Sequence, residues 1–144
     1  MSTLPVAVAS DHAGFELKEL LKSHLQELGH EVLDLGTNST ASVDYPDFGY
    51  AMGEALASGL AERGVVICGT GIGISIAANR NSAARAALCY NTTAARLARQ
   101  HNNANVLALG ARLVGTEVAK DCLEVFLATA YEGGRHDRRV AKLS

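Results

Sequence analysis

The chain contains no tryptophan, only two prolines in 144 residues, and an aromatic fraction of 5%. So few aromatic rings leave little for the stacking platforms on which single-stranded nucleic acids are held. Charge of one sign is also missing. Thirteen basic residues face fifteen acidic ones for a formal net charge of −2, so no general field attracts nucleic acid, and no such partner is expected. No apolar run approaches the roughly 20 residues that span a bilayer. The N-terminus lacks the basic region, apolar stretch and cleavage site of a secretory signal, so no membrane partner is expected and a cytoplasmic location is. The three cysteines, Cys68, Cys89 and Cys122, are too few and too scattered for a disulfide framework or a CxxC knuckle. The five histidines, His12, His24, His30, His101 and His136, lack ligand spacing such as H-E-x-x-H, so no metal is expected.

What is present suits one compact domain over residues 1–144. Apolar residues make up 48% and charged residues 19%. Short apolar runs alternate with helical patterns. Strand Val6–Ala9 precedes a helix over 14–28, with Leu17, Leu20, Leu21, Leu25 and Leu28 on one face and Gly29 as its stop. Strand Glu31–Leu35 and a polar loop over 37–44 follow, then a helix starting near Asp47 behind Pro46 and running to about Glu62. Strand Val65–Cys68 feeds a glycine turn and a helix to about Asn81. Strand Arg85–Tyr90, helix 92–101, strand Val106–Leu109 and helix 115–131 complete the alternation, and the basic tail carries one further short helix. The expected fold is therefore α/β: a doubly wound, Rossmann-like, five-stranded parallel sheet with helices on both faces. Ligands of such folds bind beyond the C-terminal strand ends. Those ends carry Asp11 and His12, Cys68–Gly73, and Gly110-Ala111-Arg112.

The most informative stretch is Cys68-Gly69-Thr70-Gly71-Ile72-Gly73-Ile74-Ser75, a thiol beside a glycine-rich strand-to-helix turn. Glycines let the backbone turn tightly and bring N–H groups close to a ligand, and thiols at helix N-termini ionise more readily. A dinucleotide fingerprint would be G-x-G-x-x-G after the first strand, and no G-x-x-x-x-G-K-[ST] occurs. A cysteine phosphatase loop would need an arginine where Ile74 stands. The remaining chemistry is general base catalysis. A thiolate takes a proton from carbon, the N–H groups of Gly69–Gly73 receive the developing negative charge, and Arg135, Arg139 and His12 hold an anion such as phosphate. The residues alone also allow plainer readings. Cys68 ends an apolar strand and suits a buried inert thiol, Asp11 suits a helix cap, His101 suits a dipole partner, and the arginine-rich tail suits a solvated surface. Cys89 and Cys122 lie in apolar surroundings and read as core residues.

Five segments in order resemble the ribose-5-phosphate isomerase type B family, which includes galactose- and allose-6-phosphate isomerases. They are Ser10–Gly14, Asp44–Asp47, Cys68–Asn79, Arg99–Leu107 and Tyr131–Arg139. The resemblance implies a cofactor-free, metal-independent aldose–ketose isomerase that interconverts ribose 5-phosphate and ribulose 5-phosphate through an enediol. It gives Cys68 the role of base, supported by Thr70. It gives His101 the opening of the sugar ring and Asp11 the shuttling or orienting of hydroxyl protons. Tyr45, Asn102 and the turn glycines Gly69, Gly71 and Gly73 would bind the sugar, and His12, Arg135, Arg139 and Arg112 its phosphate. It further implies a site between two subunits, hence a homodimer or a dimer of dimers. Six-carbon sugar phosphates and a non-catalytic sugar-phosphate sensor are the alternatives.

Overall fold

A computed structural model describes residues 3–144 of the chain. Five strands, β1 (Val6–Ser10), β2 (Val32–Asp34), β3 (Arg63–Cys68), β4 (Ala86–Leu88) and β5 (Val106–Gly110), form one parallel sheet in the order β2-β1-β3-β5-β4. Six helices connect and follow them: α1 (Phe15–Glu27), α2 (Tyr45–Ala57), α3 (Ile72–Ala78), α4 (Thr92–Asn102), α5 (Thr116–Ala128) and α6 (Asp137–Ala141), with a short 3-10 turn at Gly134–His136. The doubly wound sheet expected from the alternation is what the chain forms. Among the described residues no helix is long and apolar enough to cross a membrane.

The inner strands β1, β3 and β5 are apolar because both their faces are covered. Alternate residues serve opposite faces. Val6, Val8, Val65, Ile67, Leu107 and Leu109 pack with Leu17, Leu21 and Leu25 of α1, Ala95 and Ala98 of α4, and Leu123 and Phe126 of α5. Ala7, Ala9, Val66, Cys68, Val106 and Ala108 pack with Met52 of α2 and Ile74 and Ala78 of α3. The second face is paved with smaller side chains, and its helices sit close together. A Cβ on Gly49 of α2 would lie 2.5 Å from the Ala77 Cβ of α3. Cys89 and Cys122 are buried in the first core, as expected. Burial, with Cys122 nearby, pushes the Cys89 thiol up to about 11, so neither suits nucleophilic work.

Several boundaries differ from the periodic reading. α2 begins at Tyr45 and closes at Ala57 rather than near Glu62. Gly59 takes a left-handed φ of 78°, and the N–H groups of Gly59 and Leu60 return to the carbonyls of Leu56 and Ala55, which ends the helix whatever apolar residues follow. The same geometry stops α1 at Gly29 and leaves Leu28 exposed rather than on the core face. α3 ends at Ala78, three residues short of Asn81. α5 ends at Ala128 rather than 131, because Thr129 is extended. The edge strands β2 and β4 are three residues each, shorter than their apolar runs.

Lys18 of α1 is fully buried and holds both carboxylate oxygens of Asp34 at the end of β2, at 2.9 and 2.7 Å. Lys22 reaches the same carboxylate at 2.7 Å, and Asp34 also accepts the Gly36 N–H. Gly36 and Thr37 then bond the backbone of Ser10, so this ion pair fixes the loop beside the end of β1. Burial pushes the Asp34 carboxyl up, but the hydrogen bonds from Lys18, Lys22 and Gly36 outweigh it and hold it below its ordinary 3.8. A carboxylate lowered on folding contributes stability above its unfolded value, and that contribution is lost as pH falls through the lower folded value. We expect Asp34→Asn to cost about 3 kcal/mol by urea unfolding at neutral pH, since it leaves the buried ammonium with Glu19 at 3.4 Å as its one carboxylate. Lys18→Met should cost less than Asp34→Asn, because Asp34 keeps Lys22. Equal losses would contradict this account of the pair.

Candidate active site

The chain runs outward from β1 to β2 and returns across β1 to β3. The C-terminal ends of β1 and β3 therefore flank the crevice where the sheet's winding reverses, the usual ligand position in open α/β sheets. Backbones crowd this rim so closely that side chains are excluded. A Cβ on Gly14 would lie 2.5 Å from the Ile67 carbonyl oxygen, one on Gly110 would lie 2.5 Å from the Thr70 carbonyl oxygen, and one on Gly71 would lie 2.9 Å from the Leu109 carbonyl oxygen. Gly71 also needs its positive φ of 77° to reverse the chain before α3.

Cys68 ends β3 inside this collar and is 5% exposed. Its sulfur lies 3.1 Å from the Gly71 nitrogen, whose N–H donates to it. That is the contact an anionic sulfur would use. The seven-residue α3 is shorter than the sequence suggests, so this local N–H, rather than a long helix dipole, is the group that acts on the sulfur. Thr70 does not meet the thiol through its hydroxyl, which instead accepts the Ile72 N–H at 3.2 Å. The first intrahelical bond of α3 runs from the Ser75 N–H to the Gly71 carbonyl. The N–H groups of Gly73 and Ile74 precede it and form the open donor pair of this turn. The sequence reading had assigned that work to Gly69–Gly73.

The other strand ends bring side chains to the same rim. The Asp11 carboxylate accepts the Gly14 N–H at 3.0 Å and its backbone N–H bonds the Ile67 carbonyl. Gly14 is the N-cap of α1 and has no side-chain cap, so Asp11 closes the turn before the helix instead of capping it, with its carboxylate beside β3. His12 Nδ1 accepts the Val43 N–H at 3.1 Å, which ties down the 37–44 loop. With Nδ1 accepting, Nε2 carries the hydrogen and is the donor. The Tyr45 ring lies against Gly73, where a Cβ would collide with it, and the Arg112 guanidinium lies over Gly69. Tyr90 was not foreseen. Its hydroxyl donates to the Thr70 carbonyl at 3.3 Å, and its position just past an apolar run was the only signal for it.

Four predicted site residues lie elsewhere. His101 and Asn102 end α4, which leads to the beginning of β5, whereas Cys68 pairs with Gly110 at the end of β5. His101 stacks on His136 with ring centroids 4.6 Å apart, and Arg135 and Arg139 flank His136 in the tail. Buried Arg99 secures this end through the carbonyls of Ala104 and Thr129. One strand length separates the two groups, about 16 Å at roughly 3.3 Å per residue. A cavity of ≈ 380 Å³ beside β4 borders Asn102, and the thiol turn does not line it. Of the thirteen site residues, Asp11, His12, Tyr45, Cys68, Gly69, Thr70, Gly71, Gly73 and Arg112 gather at one end of the sheet, and His101, Asn102, Arg135 and Arg139 at the other.

Fold and rim together define an open α/β protein with a thiol and an anion-receiving turn at its winding reversal. A family model described as Ribose/Galactose Isomerase matches residues 6–143, and the chain belongs to that family. It is 47% identical over 139 residues to ribose-5-phosphate isomerase B of Escherichia coli (strain K12), covering 96% of this chain and 93% of that one. It is 40% identical to a D-erythrulose-4-phosphate isomerase of Pectobacterium atrosepticum, covering 97% and 93%. The crystal structure of a ribose 5-phosphate isomerase from Thermotoga maritima superposes with a TM-score of 0.95 at 51% identity, covering 97% of each chain.

The collar itself can be tested. Gly110→Ala should destabilise the fold by about 1–3 kcal/mol and speed alkylation of Cys68 by iodoacetamide, because the Thr70 carbonyl must yield and uncover the sulfur. Unchanged stability and alkylation would show that the rim has room to spare.

Proposed function

We propose that this protein interconverts ribose 5-phosphate and ribulose 5-phosphate through an enediol, with Cys68 as the base. The observation that carries the reading is the Gly71 N–H aimed at the buried Cys68 sulfur, beside the unpaired donors of Gly73 and Ile74. In the aldose-to-ketose direction the furanose ring must open first, and His101 moves the proton that opens it. The Cys68 thiolate then removes the proton on C2. Charge developing on the carbonyl oxygen is received by the Gly73 and Ile74 N–H groups, and the thiol returns the proton to C1. Asp11 orients the sugar hydroxyls across which the remaining proton moves, while Tyr45 and Asn102 position the chain of the sugar. His12 Nε2, Arg135, Arg139 and Arg112 hold the phosphate. No cofactor enters this scheme.

The two ends of the sheet supply complementary halves of it. One has the base and the enediolate donors without the ring opener, and the other has the ring opener and two phosphate-binding arginines without the base. We infer that a homodimer sets the His101 end of one copy against the Cys68 end of another; pairing of two such dimers leaves the site unchanged. Cys68, Cys89 and Cys122 are all free, which suits the reducing cytoplasm.

Substrate length rests on the 37–44 loop, which His12 anchors at Val43. The family includes relatives described as acting on five-carbon and four-carbon sugar phosphates at comparable identity to this chain. Ketose formation from ribose 5-phosphate should therefore be measured beside ketose formation from allose 6-phosphate and galactose 6-phosphate and aldose formation from erythrulose 4-phosphate. Ribose 5-phosphate is expected to be turned over fastest. No turnover of any of them by the folded protein would favour a sugar-phosphate sensor. Cys68→Ala should lower turnover by at least about 10³-fold while leaving the unfolding midpoint nearly unchanged. Retained wild-type turnover in that variant would remove the base assignment. His101→Asn should damage turnover of ribose 5-phosphate far more than turnover of erythrulose 4-phosphate, which cannot close a furanose ring through its phosphorylated carbon. Equal losses on both would remove the ring-opening role.

A further inference from the structure

The spacing of the histidines along the chain suggests no metal ligands, yet the fold gathers three. His101 from the last turn of α4, and Glu132 and His136 from the tail, each present a ligand atom within 4.8 Å of the others. His136 is 8% exposed. Its Nε2 is enclosed without a hydrogen-bond partner although it lies 3.3 Å from the Glu132 carboxylate. A buried imidazole nitrogen without a partner is costly unless something fills the gap.

We propose that His101, Glu132 and His136 form a site for a zinc-class divalent transition-metal ion, and that occupancy of this site arrests turnover by withdrawing His101 from the sugar. The arrest rests on the ring-opening role given to His101 above, whereas the binding does not.

The donor set selects the metal. Arg135 and Arg139 stand nearby, so electrostatic attraction alone does not draw in a cation. Affinity has to come from the imidazole nitrogens, which favour zinc, copper, nickel and cobalt over magnesium or calcium. Two imidazoles and one carboxylate leave the fourth tetrahedral position open to water. Bonds of roughly 2.0–2.2 Å space tetrahedral ligand atoms by about 3.3 Å. Glu132 and His136 already stand 3.3 Å apart, and the widest separation of 4.8 Å must close by about 1.5 Å.

The rings explain why binding and catalysis exclude each other. His101 and His136 are stacked with an interplanar angle of 17°. A metal bonds an imidazole nitrogen in the plane of the ring, and one ion cannot lie in two nearly parallel, separated planes. His101, half-buried, must leave the stack to share the ion. The stacked arrangement is thus the working one and the chelated arrangement the blocked one. No bond is broken and no electron is transferred; the ion replaces part of its hydration shell with two nitrogens and one oxygen.

Cobalt(II), whose visible spectrum reports tetrahedral coordination, should be titrated into the full-length wild-type protein, Glu132→Gln, His136→Asn and Cys68→Ala. The wild type should bind one cobalt per chain, displaced by zinc. Binding should be about 100-fold weaker or absent in Glu132→Gln and His136→Asn, and intact in Cys68→Ala. Zinc should reversibly suppress ribose 5-phosphate turnover by the wild type, with recovery on adding chelator, while Glu132→Gln keeps basal turnover and resists zinc. A cobalt spectrum indifferent to Glu132→Gln and His136→Asn, or lost with Cys68, would overturn the site. Zinc bound at the site with turnover unchanged would overturn the arrest. If the wild type turns over no ribose 5-phosphate, the isomerase reading fails and the arrest falls with it, while the cobalt spectra still decide the site.

Discussion

Three backbone-to-backbone contacts at the C-terminal rim of the sheet govern this molecule. Gly14 against the Ile67 carbonyl, Gly71 against that of Leu109 and Gly110 against that of Thr70 leave no space for a Cβ, so the loops leaving β1, β3 and β5 are locked to one another. That contact buries Cys68 without removing its hydrogen-bond donor. It also aims the Gly71 N–H at sulfur and leaves the N–H groups of Gly73 and Ile74 open. Missing side chains elsewhere on the rim create the remaining contacts: Tyr45 occupies the space over Gly73, and Arg112 the space over Gly69. A rigid backbone frame of this kind suits a reaction whose barrier is lowered by donors already in position.

The second constraint is the parallel sheet itself. In every βαβ unit the helix returns the chain to the opposite end of the sheet, so a residue at the end of α4 and one at the end of β3 are kept a strand length apart. His101 and Cys68 occupy those two positions. The tail adds Arg135, His136 and Arg139 to the His101 end. Under the proposed roles one chain carries a base without a ring opener and a ring opener without a base, so assembly belongs to the proposed chemistry and is not an addition to it.

Much of this was legible from residue order. The apolar runs of β1, β3 and β5 and the leucine stripe of α1 announce a sheet covered on both faces, and the glycine turn after Cys68 announces a ligand-facing loop. Other features leave no local trace. Gly59 looks like one more residue in a helical pattern until its left-handed conformation closes α2. Lys18 sits among leucines at a position that reads as solvent-exposed, and only the end of β2 shows that Asp34 waits for it. The site was legible as a set of residues but not as a geometry. Nothing in the spacing says that Arg112 belongs with Gly69, that Asn102 belongs with His101, or that Glu132 and His136 would close on a histidine some thirty residues earlier.

The claim that two copies complete each site is tested most directly by mixing subunits. Cys68→Ala and His101→Asn proteins, each inactive alone, would be unfolded together and refolded as a mixture. A two-fold dimer pairs the intact Cys68 of one variant with the intact His101 of the other at one of its two sites. Random pairing should then restore roughly a quarter of wild-type turnover. A mixture that forms dimers and stays inactive would contradict the shared site and place both residues' work within a single chain.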